Sequence, residues 1–224
     1  MLDLTNLSLS SSKFSSALKS SFIIPTIKNA SLDPSSVSSY RPVSNLSFIS
    51  KILEKVFYEQ INSYLTIHSV FPPSQSGFRA GHSTETALLK LYNDIVVSSD
   101  SGLSTLLLCL DFSAAFDTVD HSLLLDVLAK SFNITAGSLL WFHSYLSDRS
   151  SYVSIVSSKS SSVSLTYGVP QGSILGPLLF LLYSAELPYI ISSSSLNSQM
   201  YADDAYIYSS FSDSSLKAVV DNIT

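Results

Sequence analysis

The sequence predicts an α+β fold. Some stretches repeat apolar residues at helical spacing, as in Ile49, Ile52, Leu53, Val56, Phe57, Ile61, Tyr64 and Leu65. Others are short, apolar and strand-like. Residues 103–110 run without a polar break except Ser104 and Thr105 into Asp111, and 200–208 read MYADDAYIY around Asp203 and Asp204. Hydrophobic residues make up 46% of the 224-residue chain and charged residues 13%, enough apolar matter for a substantial core and too much for global disorder.

Residues 1–40 are polar and serine-rich, with an apolar run at 22–24 closed by Pro25. They are expected to be a loosely ordered lead-in with one strand at most. A helix follows over 49–68, ended by Pro72 and Pro73. Ser83 reads as the N-cap of a second helix, with Glu85 in its first turn. The run 103–110 is expected to be a strand buried on both faces. Asp120 caps a helix over 122–132, and 139–146 is another helix. Residues 152–156 and 163–167 form a hairpin around a serine-rich turn, and a helix lies near 178–185. The MYADDAYIY segment is a hairpin with carboxylates at its tip, and 214–223 is expected to be helical.

Serine is roughly a quarter of the chain, well above its ordinary share. The formal net charge of −5 argues against a chain-wide attraction to nucleic acid, which needs clustered Lys and Arg. Cys109 is the sole cysteine, so an internal disulfide is excluded and a cysteine-based zinc site disfavoured. Met1 is not followed by a basic and then apolar leader. The chain is therefore expected to be intracellular (cytoplasmic, nuclear or both) and not secreted. The apolar stretch 175–191 contains Pro177, Glu186 and Pro188 and reads as a buried helix, so no membrane partner is expected.

The chemistry concentrates in three carboxylates. Asp111 ends an apolar strand, and Asp203 and Asp204 sit in a hairpin. Taken alone, Asp-Asp at a turn is better read as turn chemistry. Three carboxylates at the ends of neighbouring strands repel one another, however, unless a cation joins them. Magnesium, which prefers oxygen ligands, is the natural ion. Successive strand residues face opposite ways, so the two aspartates need not be equivalent. Asp203 is expected to be the firmer metal ligand beside Asp111.

Five blocks stand in order: YRPVSNLSFISKILEKV (40–56), QSGFRAGHSTETALL (75–89), LDFSAAFDTVDH (110–121), YGVPQGSILGPLLF (167–180) and YADD (201–204). The series closely resembles the reverse transcriptases of non-LTR retrotransposons, the long interspersed element type. The resemblance covers about 19–224. It implies a right-hand polymerase with fingers and palm, an antiparallel palm sheet with packed helices, mainly fingers over 41–102 and mainly palm over 103–224. It also implies an RNA-directed DNA polymerase using two Mg2+ ions, or Mn2+, and taking an RNA template, a DNA primer and dNTPs.

The resemblance implies roles residue by residue. Asp111, Asp203 and Asp204 would be catalytic metal ligands, Asp204 closer to the primer end, with the Phe112 backbone carbonyl at the second ion. Phe116 would be a steric gate whose ring excludes a 2′-hydroxyl. Gln171 and Gly172 would lie by the incoming nucleotide, where glycine permits close backbone approach. Arg41 and Arg79 would meet the triphosphate, with Lys51 a third candidate. Lys19, Lys28 and Tyr201 would touch template or primer. Asp117 is expected to be structural, and Asp120 and His121 cap and surface. The family's later palm blocks and helical thumb are not found in the sequence, and Lys217 lies in the wrong context for the catalytic lysine. The full element is expected to join this segment to endonuclease and thumb regions. The alternatives are an inactive remnant of such an element, a group II intron-type enzyme, or an RNA-dependent RNA polymerase, the last disfavoured by Phe116.

Overall fold

A computed structural model describes residues 2–112, 114–212 and 220 of the chain. The elements run α1 (Leu2–Ser10), β1 (Ser20–Ile27), β2 (Tyr40–Asn45), α2 (Phe48–Ile67), α3 (Thr84–Asp100), β3 (Ser104–Asp111), α4 (His121–Lys130) and α5 (Ala136–Leu146). They continue with β4 (Arg149–Ile155), β5 (Ser158–Lys159), β6 (Val163–Leu165), α6 (Leu175–Tyr183), α7 (Leu187–Ser193), β7 (Asn197–Tyr201) and β8 (Asp204–Phe211). The mixture is α+β, as the sequence predicts. The helix expected over 214–223 lies, Val220 apart, outside the described residues. By internal contacts the chain divides into two units, 1–69 with 116–183 and 70–115 with 184–224.

The first unit holds a sheet of order β2-β1-β4, with β5 and β6 paired to β4. β1 pairs antiparallel with β2 and parallel with β4. The β4 ladder stops at Ile23, so Pro25, which has no N–H to give, falls where β1 meets only β2 and stands opposite Pro42. Helix α2 forms as expected. Ser47 caps it by accepting from Ser50 N–H, and its apolar stripe buries Leu53, Phe57, Ile61 and Leu65. The Phe57 ring stacks on Trp141 of α5 at 3.7 Å and meets Phe142 edge-on at 5.0 Å.

The expectation of a loosely ordered lead-in is corrected here. Residues 2–10 form α1, anchored by Ser8, whose Oγ accepts from Trp141 Nε1 (3.0 Å) and donates to the Lys13 carbonyl (2.6 Å). Phe14 is buried edge-on to Trp141 and Tyr145. With Leu2 and Leu7 exposed, α1 has no apolar stripe to betray it, and its anchorage is polar. The apolar stretch after the serine-rich hairpin becomes α6, buried at seven of its nine positions. Leu175–Ser193 is long and apolar enough to cross a membrane by length and composition only, with 56% of it buried.

The second unit carries an antiparallel sheet of order β3-β8-β7. Helix α3 begins with a capping box in which Ser83 and Thr86 each receive the other's backbone N–H. It fastens to β8 through Asp94, which accepts from the Tyr208 hydroxyl, and Ser98, which accepts from Ser210 Oγ at 2.6 Å. The strand expected over 103–110 is present, but it is not buried on both faces: Leu107 and Leu110 are each 38% exposed. Among the described residues, β3 is the edge of its sheet and pairs with β8 alone, so one of its sides lacks a strand neighbour.

Candidate active site

Strand pairing sets the carboxylates. β3 and β8 run antiparallel from Ser104↔Phe211 to Asp111↔Asp204, so the last residue of one strand faces the first of the other. Residues directly opposite in an antiparallel pair project from the same face, with Cβ atoms about 4.5–5.5 Å apart. β7 and β8 close at Tyr201↔Asp204, leaving Ala202 and Asp203 as a two-residue hairpin loop. The register sets Asp204 directly opposite Asp111 and leaves Asp203 in the adjoining turn. Burial pushes the Asp204 carboxyl above its ordinary value, and the negative charges of Asp203 and Asp111 push it further the same way. Mutual repulsion of this kind is what a bound cation relieves, and an all-oxygen donor set suits magnesium. Among the described residues, no group of three acidic, histidine or cysteine side chains is already gathered to hold an ion by itself.

The hairpin loop is held from outside by residues 74–77. Met200 N–H donates to the Ser74 carbonyl (2.8 Å), and Ser76 N–H to the Met200 carbonyl (2.9 Å). The buried Gln75 side chain then reaches the loop. Its Oε1 accepts from Ala202 N–H (3.1 Å) and Gly77 N–H (2.9 Å), and its Nε2 donates to the Ala202 carbonyl (3.3 Å). Gly77 has to be glycine, since a Cβ there would lie 2.7 Å from Ala202 Cα. Sequence reasoning quoted the QSGFR block for Arg79 and overlooked Gln75. The available signal was a glutamine two residues before a glycine in a block otherwise read for its arginine.

The GVPQGS loop belongs to the first unit and is equally constrained. Val169 N–H donates to the Phe116 carbonyl (2.7 Å), and Gly168 N–H to the Val119 carbonyl (2.8 Å). His121 Nε2 contacts the Gly168 carbonyl at 2.7 Å, so this histidine braces the loop and does more than lie on the surface. Ser44 N–H donates to the Gln171 carbonyl (2.7 Å), and Gly172 (φ +110°) comes so near that a Cβ would meet the Ser44 oxygen at 2.6 Å. Gln171 Nε2 donates to Asp117 Oδ2 at 3.0 Å. Burial raises the Asp117 carboxyl above its usual value, and that hydrogen bond opposes the rise. Both side chains line a cavity of about 250 Å3 with Ser44, Gly168 and Arg149. The Phe116 ring lies 5.1 Å from Phe180.

Glu54, fully buried on α2, anchors the start of α6. Its Oε2 accepts from Ile174 N–H (2.8 Å) and Leu175 N–H (3.4 Å), and its Oε1 accepts from Ser50 Oγ (2.9 Å). A carboxylate at a helix N-terminus satisfies backbone donors that have no partner in the helix. Ser173 completes the cap by accepting from Gly176 N–H at 2.9 Å.

The remaining expected residues fall in varied places. Arg41 is exposed on β2, Lys28 is exposed just after β1, and Tyr201 and Lys51 are half-buried. The Phe112 carbonyl accepts from Ala115 N–H at 3.2 Å. Arg79 braces its own loop: Nη1 donates to the Pro72 and Gln75 carbonyls (2.8 and 2.7 Å), and the guanidinium lies 5.5 Å from the Phe71 ring centre. Lys19 is among the buried polar residues, and burial lowers its pKa, with Asp148 opposing and Arg149 reinforcing the shift.

The family model described as "Reverse transcriptase (RNA-dependent DNA polymerase)" matches residues 27–224. The chain is 36% identical over 181 residues to "Probable RNA-directed DNA polymerase from transposon BS" of Drosophila melanogaster, covering 78% of this chain and 20% of that protein. It is 30% identical over 200 residues to "RNA-directed DNA polymerase from mobile element jockey" of the same organism, covering 87% and 21%. The chain thus spans about a fifth of the length of these relatives. Among solved structures, apo telomerase from Candida tropicalis truncated from its C-terminal domain aligns with a TM-score of 0.59 at 15% identity, over 98% of this chain and 50% of that chain. At that identity the likeness is one of fold.

Proposed function

The chain belongs to the reverse transcriptase family, and from that premise we propose that it is the polymerase segment of a longer non-LTR retrotransposon protein, transferring nucleotides from dNTPs to a primer 3′-hydroxyl on an RNA template. The observation that carries this reading is the register Asp111↔Asp204 with Asp203 in the adjoining turn. The β3-β8-β7 sheet is then the palm, and thumb and endonuclease regions belong to the length that the relatives have beyond this segment.

Asp111, Asp203 and Asp204 would hold the divalent ions. Magnesium bound there, as a pair of ions, would activate the attacking oxygen and stabilise the leaving one. The protein's own share is placement. The Phe116 ring, packed on Phe180, would stand under the sugar and exclude a 2′-hydroxyl. Gln171, oriented by Asp117, would present its amide to the nucleotide beside Gly172. Arg41 would meet the triphosphate, and Arg79 would do so with the nitrogens that its loop carbonyls leave free. Tyr201 and Lys28 would touch the nucleic acid.

Incubating the purified chain with an RNA template, an annealed DNA primer, labelled dNTPs and Mg2+ tests this function. Incorporation that stops on chelation is expected. A folded chain that binds neither dNTP nor primer–template would overturn the proposal.

A further inference from the structure

The turn that carries Asp203 has an unusual conformation. Ala202 sits at φ +56°, a left-handed backbone that costs a non-glycine residue about 1 kcal/mol or more. Such a conformation persists only where its surroundings over-determine it. Ala202 is buried, so its N–H and carbonyl must find partners within the protein. One side chain supplies both. Gln75 accepts from Ala202 N–H and donates to the Ala202 carbonyl, and its Oε1 also takes Gly77 N–H, which fixes the orientation of the amide. Of the side chains of this length that are neutral at pH 7, only glutamine donates and accepts together. The backbone of 74–76 is locked to Met200, and Ser76 Oγ accepts from Gln199 Nε2 at 2.9 Å, so the amide is presented from a fixed base.

We propose that Gln75 is a positioning residue for the catalytic hairpin: its side-chain amide clamps the Ala202 peptide and thereby sets the directions of Asp203 and Asp204 relative to Asp111. The inference rests on the function proposed above. The clamp acts one peptide before Asp203 and two before Asp204, so its loss changes where the carboxylates point without touching substrate.

Two variants separate the contributions. Gln75→Met keeps the length and removes both hydrogen bonds. Gln75→Glu keeps the acceptor for Ala202 N–H and Gly77 N–H and removes the donor to the Ala202 carbonyl. The first readout is amide hydrogen exchange at Ala202 in the full chain without substrate, where Gln75→Met should speed exchange about 10-fold while Gln75→Glu stays near wild type. The second is Mn2+ binding followed by electron paramagnetic resonance, expected to weaken at least several-fold in Gln75→Met. The third is primer extension, where Gln75→Met should lower kcat about 10-fold or more while KM for dNTP changes little. Should Gln75→Met fail to fold, Gln75→Glu carries the test through kcat, which should fall with the lost donor to the Ala202 carbonyl. Unchanged Ala202 exchange and Mn2+ affinity in a folded Gln75→Met overturn the clamp. If the wild-type chain extends no primer but Ala202 exchange responds to Gln75→Met, the proposed function fails and the clamp stands.

Discussion

Asp111 and Asp204 are direct partners across an antiparallel ladder, and Asp204 has its carboxyl pushed above the ordinary value of 3.8 by burial and by the charges of Asp203 and Asp111. A carboxylate whose folded-state pKa exceeds its unfolded one destabilises the fold above that raised pKa, and the penalty fades as pH falls through it. Asp204→Asn, which removes the charge and keeps the shape, is therefore expected to raise Tm at pH 7 in the absence of divalent ions. The gain should shrink as pH approaches 3.8. Thermal melts of both proteins between pH 7 and pH 5 check this. A lower Tm for the variant at pH 7 would show that Asp204 is not under like-charge repulsion.

Phe116 packs against Phe180, so Phe116→Ala removes both a ring contact and the proposed barrier to ribose. Stability alone does not discriminate between these roles. The ratio of rNTP to dNTP incorporation does, and it should rise at least 10-fold in the variant, since excluding one hydroxyl is a difference in transition-state binding. An unchanged ratio assigns Phe116 to the core.

Glu54 joins α2 to the start of α6 and so holds the end of the GVPQGS loop. Glu54→Ala leaves two backbone donors and the Ser50 hydroxyl buried without their partner. It should cost about 2–4 kcal/mol in urea unfolding. A loss below about 1 kcal/mol would show that water or rearrangement replaces the carboxylate readily.

Much of this molecule can be read from the chain because its signals are local. Ser83 and Asp120 each cap the helix that the sequence places after them, and MYADDAYIY folds as a hairpin. What escapes the sequence is set at a distance. Helix α1 is tied down by contacts far along the chain, among them a hydrogen bond from Trp141, 133 residues away. The exposure of Leu107 and Leu110 depends on β3 lying at a sheet edge, which no window of sequence reveals. The pairing of Asp111 with Asp204 follows from the register of β3 on β8, strands far apart in sequence, and Gln75 meets Ala202 across 127 residues. The residue types at the site were legible. Their partners were not, because partnership is a tertiary property.

The most direct measurement is Mg2+-dependent extension of a DNA primer on an RNA template by the wild-type chain beside Asp111→Asn, Asp203→Asn and Asp204→Asn, with the fold of each variant checked by circular dichroism. Extension by the wild type and a fall of roughly 100-fold or more in each variant are the expected results. A folded variant that extends primer at the wild-type rate would contradict the assignment of the three aspartates as the catalytic centre.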